Sequence, residues 1–194
     1  VDVFTVGSDW TGTFDWLKDY CEVVYLERTK NVSSTMLRAK KYKILNLGVI
    51  GTGRIARRFY PETKYVSGIN VKGVYNPHLQ SASDYKETFG LEFGTDRIEE
   101  FWEQIDAVYI ASPHETHVPY MEQALRRGKH VLCEKPMALS EQEAKDLYAL
   151  AAKKGCVLME AVKTAYCPGF QQLLGIARSG VIGAVRDVEA AFTK

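Results

Sequence analysis

A chain of 194 residues that is 46% hydrophobic and 25% charged has the balance of a folded globular protein, which excludes disordered and collagen-like classes and gives length for one full core and part of another. A formal net charge of +1, with no basic run beyond the cluster Arg38, Lys40, Lys41, Lys43, supplies no electrostatic footprint for nucleic acid. No apolar stretch approaches the about 18 residues that cross a bilayer and the N-terminus has no secretory pattern, so no membrane partner is expected and a cytoplasmic location is the default.

The chain opens at Val1 directly on an apolar run, and Val1 to Val6 and Val23 to Leu26 read as short β-branched strands. Between them Asp15 to Tyr20 has the polarity of one or two helical turns, giving one β-helix-β unit. Asn31-Val32-Ser33-Ser34-Thr35 offers side chains that cap a helix starting near Met36, and Arg38 to Lys43 reads as a basic connector. Strand and helix then alternate. The strands are Ile44 to Ile50, Ile69 to Tyr75, Ala107 to Ala111, His130 to Glu134 and Val157 to Val162; the helices are Arg54 to Tyr60, Ser81 to Phe89, Val118 to Arg127 and Ser140 to Lys154. Such alternation demands crossover connections, hence a parallel sheet covered on both faces, an α/β fold of the doubly wound type.

In the last of these helices Ala144, Leu147, Tyr148 and Ala151 share one face, Ser140 with Glu143 forms a capping box, and Gly155 ends it. Pro168 to Ser179 reads as a further helix ended by Gly180, after which Val185 to Thr193 alternates as a strand would and stops. A lone strand cannot satisfy its backbone, so the sequence is expected to be part of a longer protein. Cys21, Cys133, Cys156 and Cys167 lack the paired spacing of a zinc site and read as buried or half-buried thiols, with no metal expected.

The run Ile44-Leu45-Asn46-Leu47-Gly48-Val49-Ile50 breaks into Gly51-Thr52-Gly53-Arg54-Ile55-Ala56. After a buried strand, Gly51 suits a tight turn, Gly53 lets backbone amides approach a pyrophosphate at the next helix N-terminus, and Ala56 lets that helix pack close. Asn76 ends the second strand about twenty residues on, where a carboxylate grips the adenine ribose of NAD. An Asn can still accept from a ribose hydroxyl but does not repel a 2′-phosphate, so NAD and NADP both stay open; equally, Asn76-Pro77 is simply a turn. No Arg adjoins it, although His78 is close.

The third long strand runs into Ser112-Pro113-His114-Glu115-Thr116-His117 at the carboxyl edge of the sheet, where ligands bind in open α/β folds. His117 and His114 are candidate nicotinamide-side contacts, or, for His117, part of the start of the next helix. Glu134-Lys135-Pro136 follows the next strand to the same edge. Glu134 can bind ribose hydroxyls, and the Lys135 ammonium can polarise a carbonyl or assist proton transfer. The bland alternative is a solvated charged pair.

Taken together, Gly51-Thr52-Gly53-Arg54-Ile55-Ala56, Ala111-Ser112-Pro113 with His117, and Gly128-Lys129-His130-Val131-Leu132-Cys133-Glu134-Lys135-Pro136 resemble the Gfo/Idh/MocA family over about residues 43–194. The resemblance implies a Rossmann-type domain binding NAD or NADP through Gly51, Thr52, Gly53, Arg54, Ile55, Asn76, Ser112, Pro113, His114, His117, Glu134 and Lys135. It also implies Lys135 as the active-site lysine, and a second α+β domain for substrate and oligomer formation. Many relatives carry an arginine after the Glu-Ala of the last Rossmann strand, whereas Glu160-Ala161-Val162-Lys163 supplies Lys163. Separately, Gly7-Ser8-Asp9-Trp10, Cys21 to Leu26 and Arg28 to Thr35 resemble the end of a glycerol-3-phosphate cytidylyltransferase, a family whose H-x-G-H motif has no counterpart here.

The expected organisation is therefore a cytidylyltransferase-like fragment at 1–38, a linker at 39–43, a dinucleotide-binding domain at 44–165, and the start of a substrate domain at 166–194. The expected activity is NAD(P)-dependent hydride exchange with a sugar, polyol or related hydroxyl or carbonyl compound, in a homo-oligomer. The alternatives are one half of a bifunctional cytidylyltransferase and oxidoreductase, or a non-catalytic NAD(P)-binding sensor.

Overall fold

A computed structural model describes residues 2–27 and 44–191, which belong to two units, 1–43 and 44–194. In the first, β1 (Val3–Gly7) and β2 (Glu22–Leu26) pair in parallel, Val3 opposite Glu22. Of two short 3-10 turns, Asp15–Asp19 stands where helical turns are expected and Ser8–Trp10 was not foreseen. The Tyr25 hydroxyl donates to Asp15 at 2.9 Å and accepts from the Phe14 N–H at 3.1 Å, which ties the second turn to β2. The helix expected from Met36 and the connector Arg38 to Lys43 lie outside the described residues.

The second unit runs β3 (Leu45–Ile50), α1 (Arg54–Thr63), β4 (Ile69–Tyr75), α2 (Leu79–Phe89), β5 (Phe93–Thr95), α3 (Ile98–Glu103), β6 (Ala107–Ile110), α4 (His117–Arg126), β7 (His130–Cys133), α5 (Glu141–Lys154), β8 (Leu158–Glu160), α6 (Lys163–Tyr166) and α7 (Pro168–Ser179). Its sheet has the order β5-β4-β3-β6-β7-β8 with every pair parallel. The chain therefore starts in the middle, works to one edge, and crosses β3 to build the other half. The crossing leaves a switch point between β3 and β6.

Register sets where that switch point opens. Ile50 lies opposite both Tyr75 and Ile110, Ile110 opposite Cys133, and Cys133 opposite Glu160, so five strands finish in one row. The ladder continues one residue further into each loop: Gly51 N–H donates to Tyr75 O at 3.0 Å, Ala111 N–H to Ile50 O at 2.9 Å, Glu134 N–H to Ile110 O at 2.9 Å, and Ala161 N–H to Cys133 O at 2.7 Å. The first residue of every functional loop is thus placed by the sheet.

Strand alternation divides the core between two faces. Ile50, Val108, Ile110, Val131 and Cys133 pack with Phe101, Trp102, Met121, Leu125 and Leu147 of α3, α4 and α5. On the other face Leu47, Val49, Val74 and Tyr109 pack with Ala56 of α1 and Ala82 and Tyr85 of α2. The α5 cap matches its sequence: Ser140 Oγ accepts from Glu143 N–H at 3.2 Å, Glu143 Oε2 accepts from Ser140 N–H at 3.0 Å, and Gly155 closes the helix in the left-handed region.

Three differences from expectation have local causes. β5 and α3 are not signalled by periodicity, because a three-residue strand containing Gly94 and a six-residue helix are too short to show one. α1 runs through Pro61 to Thr63 rather than stopping at Tyr60, since a proline in the last turn removes a single ladder bond. Val185 to Ala191 forms no strand and pairs with none among the described residues; the alternation has no partner to organise it. Of the thiols, Cys133 is buried, Cys21 and Cys156 are half-buried, and Cys167 is exposed.

Gly48 of β3 lies tight against the side chains of α3 and the segment after it: a Cβ there would lie 2.5 Å from a Phe101 ring carbon and 2.9 Å from Ile105. Phe101 is fully buried and has no room to turn. Gly48→Ala is expected to lower stability by about 1–3 kcal/mol through overpacking, read as a lower urea midpoint at unchanged slope.

Candidate functional site

The glycine turn is shaped by sterics on one side and space on the other. Gly51 has φ +99°, a conformation that L side chains rarely adopt, and a Cβ on it would sit 2.5 Å from the Ala111 carbonyl oxygen. Gly53, by contrast, has nothing within 4 Å of a built Cβ. It precedes α1, whose first turn has no side-chain cap, so the N–H groups of its opening residues carry no intrahelical bond. A close turn, an open approach and uncapped amides are what a diphosphate requires.

Asn76 is tied to this turn. Its Nδ2 donates to Thr52 Oγ1 at 2.9 Å, while its Oδ1 accepts from the His78 N–H at 2.9 Å. The second bond makes Asn76-Pro77 a side-chain-closed turn that starts α2 at Leu79, earlier than the periodicity indicates. One N–H and one lone pair of the amide are left over. Arg57, which sequence reading did not single out, donates from Nε to Thr52 O at 3.2 Å and lies over the Tyr85 ring. A cation therefore stands beside the Thr52 and Asn76 corner, although no arginine adjoins Asn76 in sequence.

Beyond β6, Ser112 and Thr116 share a hydroxyl hydrogen bond of 2.7 Å, and Pro113 and His114 are exposed on the loop and the 3-10 turn His114–Thr116. His117 is placed differently from its neighbours. It is fully buried, with Nδ1 2.9 Å from Pro136 O and Nε2 2.9 Å from Ser112 O. Both ring nitrogens of His117, expected as a nicotinamide-side contact, face backbone carbonyls, and the side chain sits behind the edge between the β6 loop and the β7 loop.

The β7 loop is held at several points. Glu134 Oε1 accepts from the Tyr109 hydroxyl at 2.6 Å; the Lys135-Pro136 peptide is cis; and Met137 N–H donates to Glu160 Oε1 at 2.8 Å. Tyr109 is stacked on Phe59 of α1, centroids 3.8 Å apart and planes 20° apart. Burial, reinforced by the bond to Glu134, pushes the Tyr109 hydroxyl well above its ordinary pKa, so it remains a donor and Glu134 the acceptor. The Cys133 thiol is pushed up to about 12, chiefly by burial and then by Glu134 and Glu160, which keeps it protonated and inert. Lys135 is exposed, and its Nζ has no hydrogen-bond or ion-pair partner among the described residues.

A cavity of about 340 Å³ opens here, lined by Ile55, Arg58 and Phe59 from α1, by Tyr109, Glu134 and Lys135, and by Ala161 to Thr164. An adjoining space of about 370 Å³ shares Phe59, Tyr109, Glu134, Ala161 and Lys163 and reaches Leu132, Met159 and Tyr166. Lys163 pairs with Glu62 at 3.2 Å, linking α6 to α1 at the rim. Of the residues singled out from sequence, Ile55, Glu134, Lys135 and Lys163 meet at this cavity. Gly51 to Arg54 and Asn76 lie along the same edge toward β4, and Ser112 to His114 follow β6. Tyr109 and Phe59, and the role of Glu160, escaped notice because only the folded register brings them to the loop.

A family model described as oxidoreductase family, NAD-binding Rossmann fold, matches residues 45–162. A dTDP-3,4-didehydro-2,6-dideoxy-alpha-D-glucose 3-reductase of Streptomyces antibioticus is 36% identical over 152 residues, 77% of this chain and 46% of that protein. The scyllo-inositol 2-dehydrogenase (NADP(+)) IolU of Bacillus subtilis is 31% identical over 77% of this chain and 45% of its own. Among solved structures, the 3-ketoreductase KijD10 from Actinomadura kijaniata with NADP is similar at TM-score 0.65 and 33% identity, covering 72% of this chain and 45% of that one. GenD2 from gentamicin A biosynthesis with NAD is similar at TM-score 0.66 and 26% identity, covering 70% and 39%. The chain spans less than half the length of these relatives. With its parallel sheet, glycine turn and Glu134-Lys135 edge, the chain belongs to the Gfo/Idh/MocA oxidoreductase family, through its NAD-binding Rossmann domain.

Proposed function

We propose that the chain is the dinucleotide-binding part of an NAD(P)-dependent oxidoreductase acting on a hydroxyl or carbonyl carbon of a sugar, polyol or related small molecule. The observation that carries this reading is the alignment of the glycine turn and the Glu134-Lys135 loop on one carboxyl edge, separated by the switch point. When bound, the nicotinamide supplies two-electron redox chemistry that no side chain of the protein provides. Gly51, Thr52 and Gly53, with the amides of Arg54 and Ile55, would hold the diphosphate, and Asn76 the adenine ribose. Ser112, Pro113 and His114 would border the nicotinamide side, with His117 orienting them from behind. Glu134 would accept from the nicotinamide ribose. Lys135 Nζ would hold the reacting oxygen and give or take its proton.

Cytoplasmic location and self-association through a second domain belong to the same reading and rest on family resemblance. For residues 1–38 we propose a cytidylyltransferase-like remnant; its support is a parallel β1 and β2 pair in a unit of its own. CTP added to the chain is expected to release no pyrophosphate.

Nicotinamide fluorescence titration tests the main reading. Both NADH and NADPH are expected to bind, with Kd values within about tenfold, because a neutral Asn76 replaces the carboxylate that excludes a 2′-phosphate; a hundredfold preference for either would contradict this account of the corner. Gly53→Ala should cost under about 1 kcal/mol of stability, as a side chain meets nothing there, yet weaken dinucleotide binding about tenfold or more by filling the approach. Unchanged affinity would remove the diphosphate from this turn.

In the whole protein, with its substrate domain, Lys135→Ala is expected to leave dinucleotide affinity nearly intact and to reduce kcat on a sugar or polyol panel by about a hundredfold to ten-thousandfold. Tight binding with no turnover by the unsubstituted full-length protein on any of the panel would favour the sensor alternative.

A further inference from the structure

The Glu134 carboxylate is the acceptor that faces the cavity beside Lys135, and one of its two oxygens is already engaged by Tyr109 at 2.6 Å. Tyr109 is 1% exposed and sits on β6, so its hydroxyl is aimed by the sheet rather than by a loop. Its ring is stacked on Phe59, which stands on α1 directly after the glycine turn. A short hydrogen bond to a charged acceptor is among the stronger neutral-to-ion contacts available, and holding one oxygen of a planar carboxylate narrows the positions open to the other.

We propose that Tyr109 is a positioning residue for the cofactor site: its hydroxyl holds Glu134 Oε1 so that Oε2 is presented to a hydroxyl-bearing ligand in the cavity, and its ring couples that carboxylate to α1. This rests on the dinucleotide reading given above. Although its ring forms part of the cavity wall, Tyr109 is 1% exposed and its hydroxyl is spent on Glu134. It acts by removing the rotational freedom that an exposed glutamate would surrender on binding.

The role has a signature that simple support of the fold does not share. Tyr109→Phe keeps the ring on Phe59 and removes only the hydroxyl. Glu134→Gln keeps a carbonyl acceptor for Tyr109, so stability is preserved, but directs an amide N–H₂ into the cavity where an acceptor is needed. Glu134→Ala removes both functions.

NADH and NADPH titrations of the unsubstituted chain, the three single variants and Tyr109→Phe/Glu134→Ala test the proposal, with thermal unfolding of each as a control. Tyr109→Phe is expected to weaken binding about tenfold, the order of one hydrogen bond to a charged group. Glu134→Gln should bind as weakly or more so at an unchanged unfolding midpoint, and the double variant should bind no worse than Glu134→Ala alone. Binding by Tyr109→Phe within twofold of the unsubstituted chain overturns the proposal, as does a hydroxyl effect that persists at full size when Glu134 is absent. If the unsubstituted chain binds neither dinucleotide, the functional reading falls and takes this inference with it; if it binds and Tyr109→Phe does too, only the inference falls.

Discussion

The site depends on parallel register. Five strands stop in the same row, and the ladder reaches one residue past each of those ends. Parallel pairing makes this possible because all the carboxyl ends point one way, so residues far apart in sequence, such as Gly51, Asn76, Glu134 and Ala161, leave the sheet side by side. The switch point then supplies the opening, since the connections from β3 and β6 depart to opposite faces. Apolar burial on both faces of the sheet provides the driving force that brings the groups together.

Within that row, the loop carrying Glu134 and Lys135 is restrained unusually well for a surface segment. Ile110 O, Tyr109, His117 and Glu160 each hold a different atom of residues 134–137. Each contact is worth about 0.5–3 kcal/mol singly, and their joint effect is geometric: the backbone on both sides of Lys135 is fixed while its side chain stays open to solvent. A lysine that must meet a substrate oxygen benefits from this division, because little backbone ordering remains to be done on binding. The buried His117 shows the same economy from behind, joining two loops through their carbonyls without reaching the surface.

Much of this could be read from the residues, where the signal was local. β4 and α7 fall at their expected bounds because β-branched residues in one and Pro168 with Gly180 in the other mark both ends. The Ser140 and Glu143 box is visible for the same reason. β5 and α3 were not legible, since Gly94 and a pair of adjacent aromatics follow no period and are placed by packing on α2 and the sheet. At the site, glycines and the Glu-Lys-Pro run announced themselves, whereas Tyr109, Glu160 and Arg57 did not. The Tyr109 bond to Glu134 spans 25 residues and the Glu160 bond to Met137 spans 23, so neither exists until strands are in register. His117 was visible as a histidine but not as a buried strut.

Asn76 illustrates how such a corner resists redesign. Its amide is a donor toward Thr52 and an acceptor toward His78 at the same time, and an aspartate in its place could serve only the second. Thr52 would have to rotate its hydroxyl and become the donor, and a negative charge would arrive next to the Arg57 guanidinium held on Thr52 O. Exchanging a single side chain to retune cofactor choice would therefore reverse one bond's polarity and add a negative charge at the mouth of the glycine turn, so the preference and the hydrogen bonding of the turn change together.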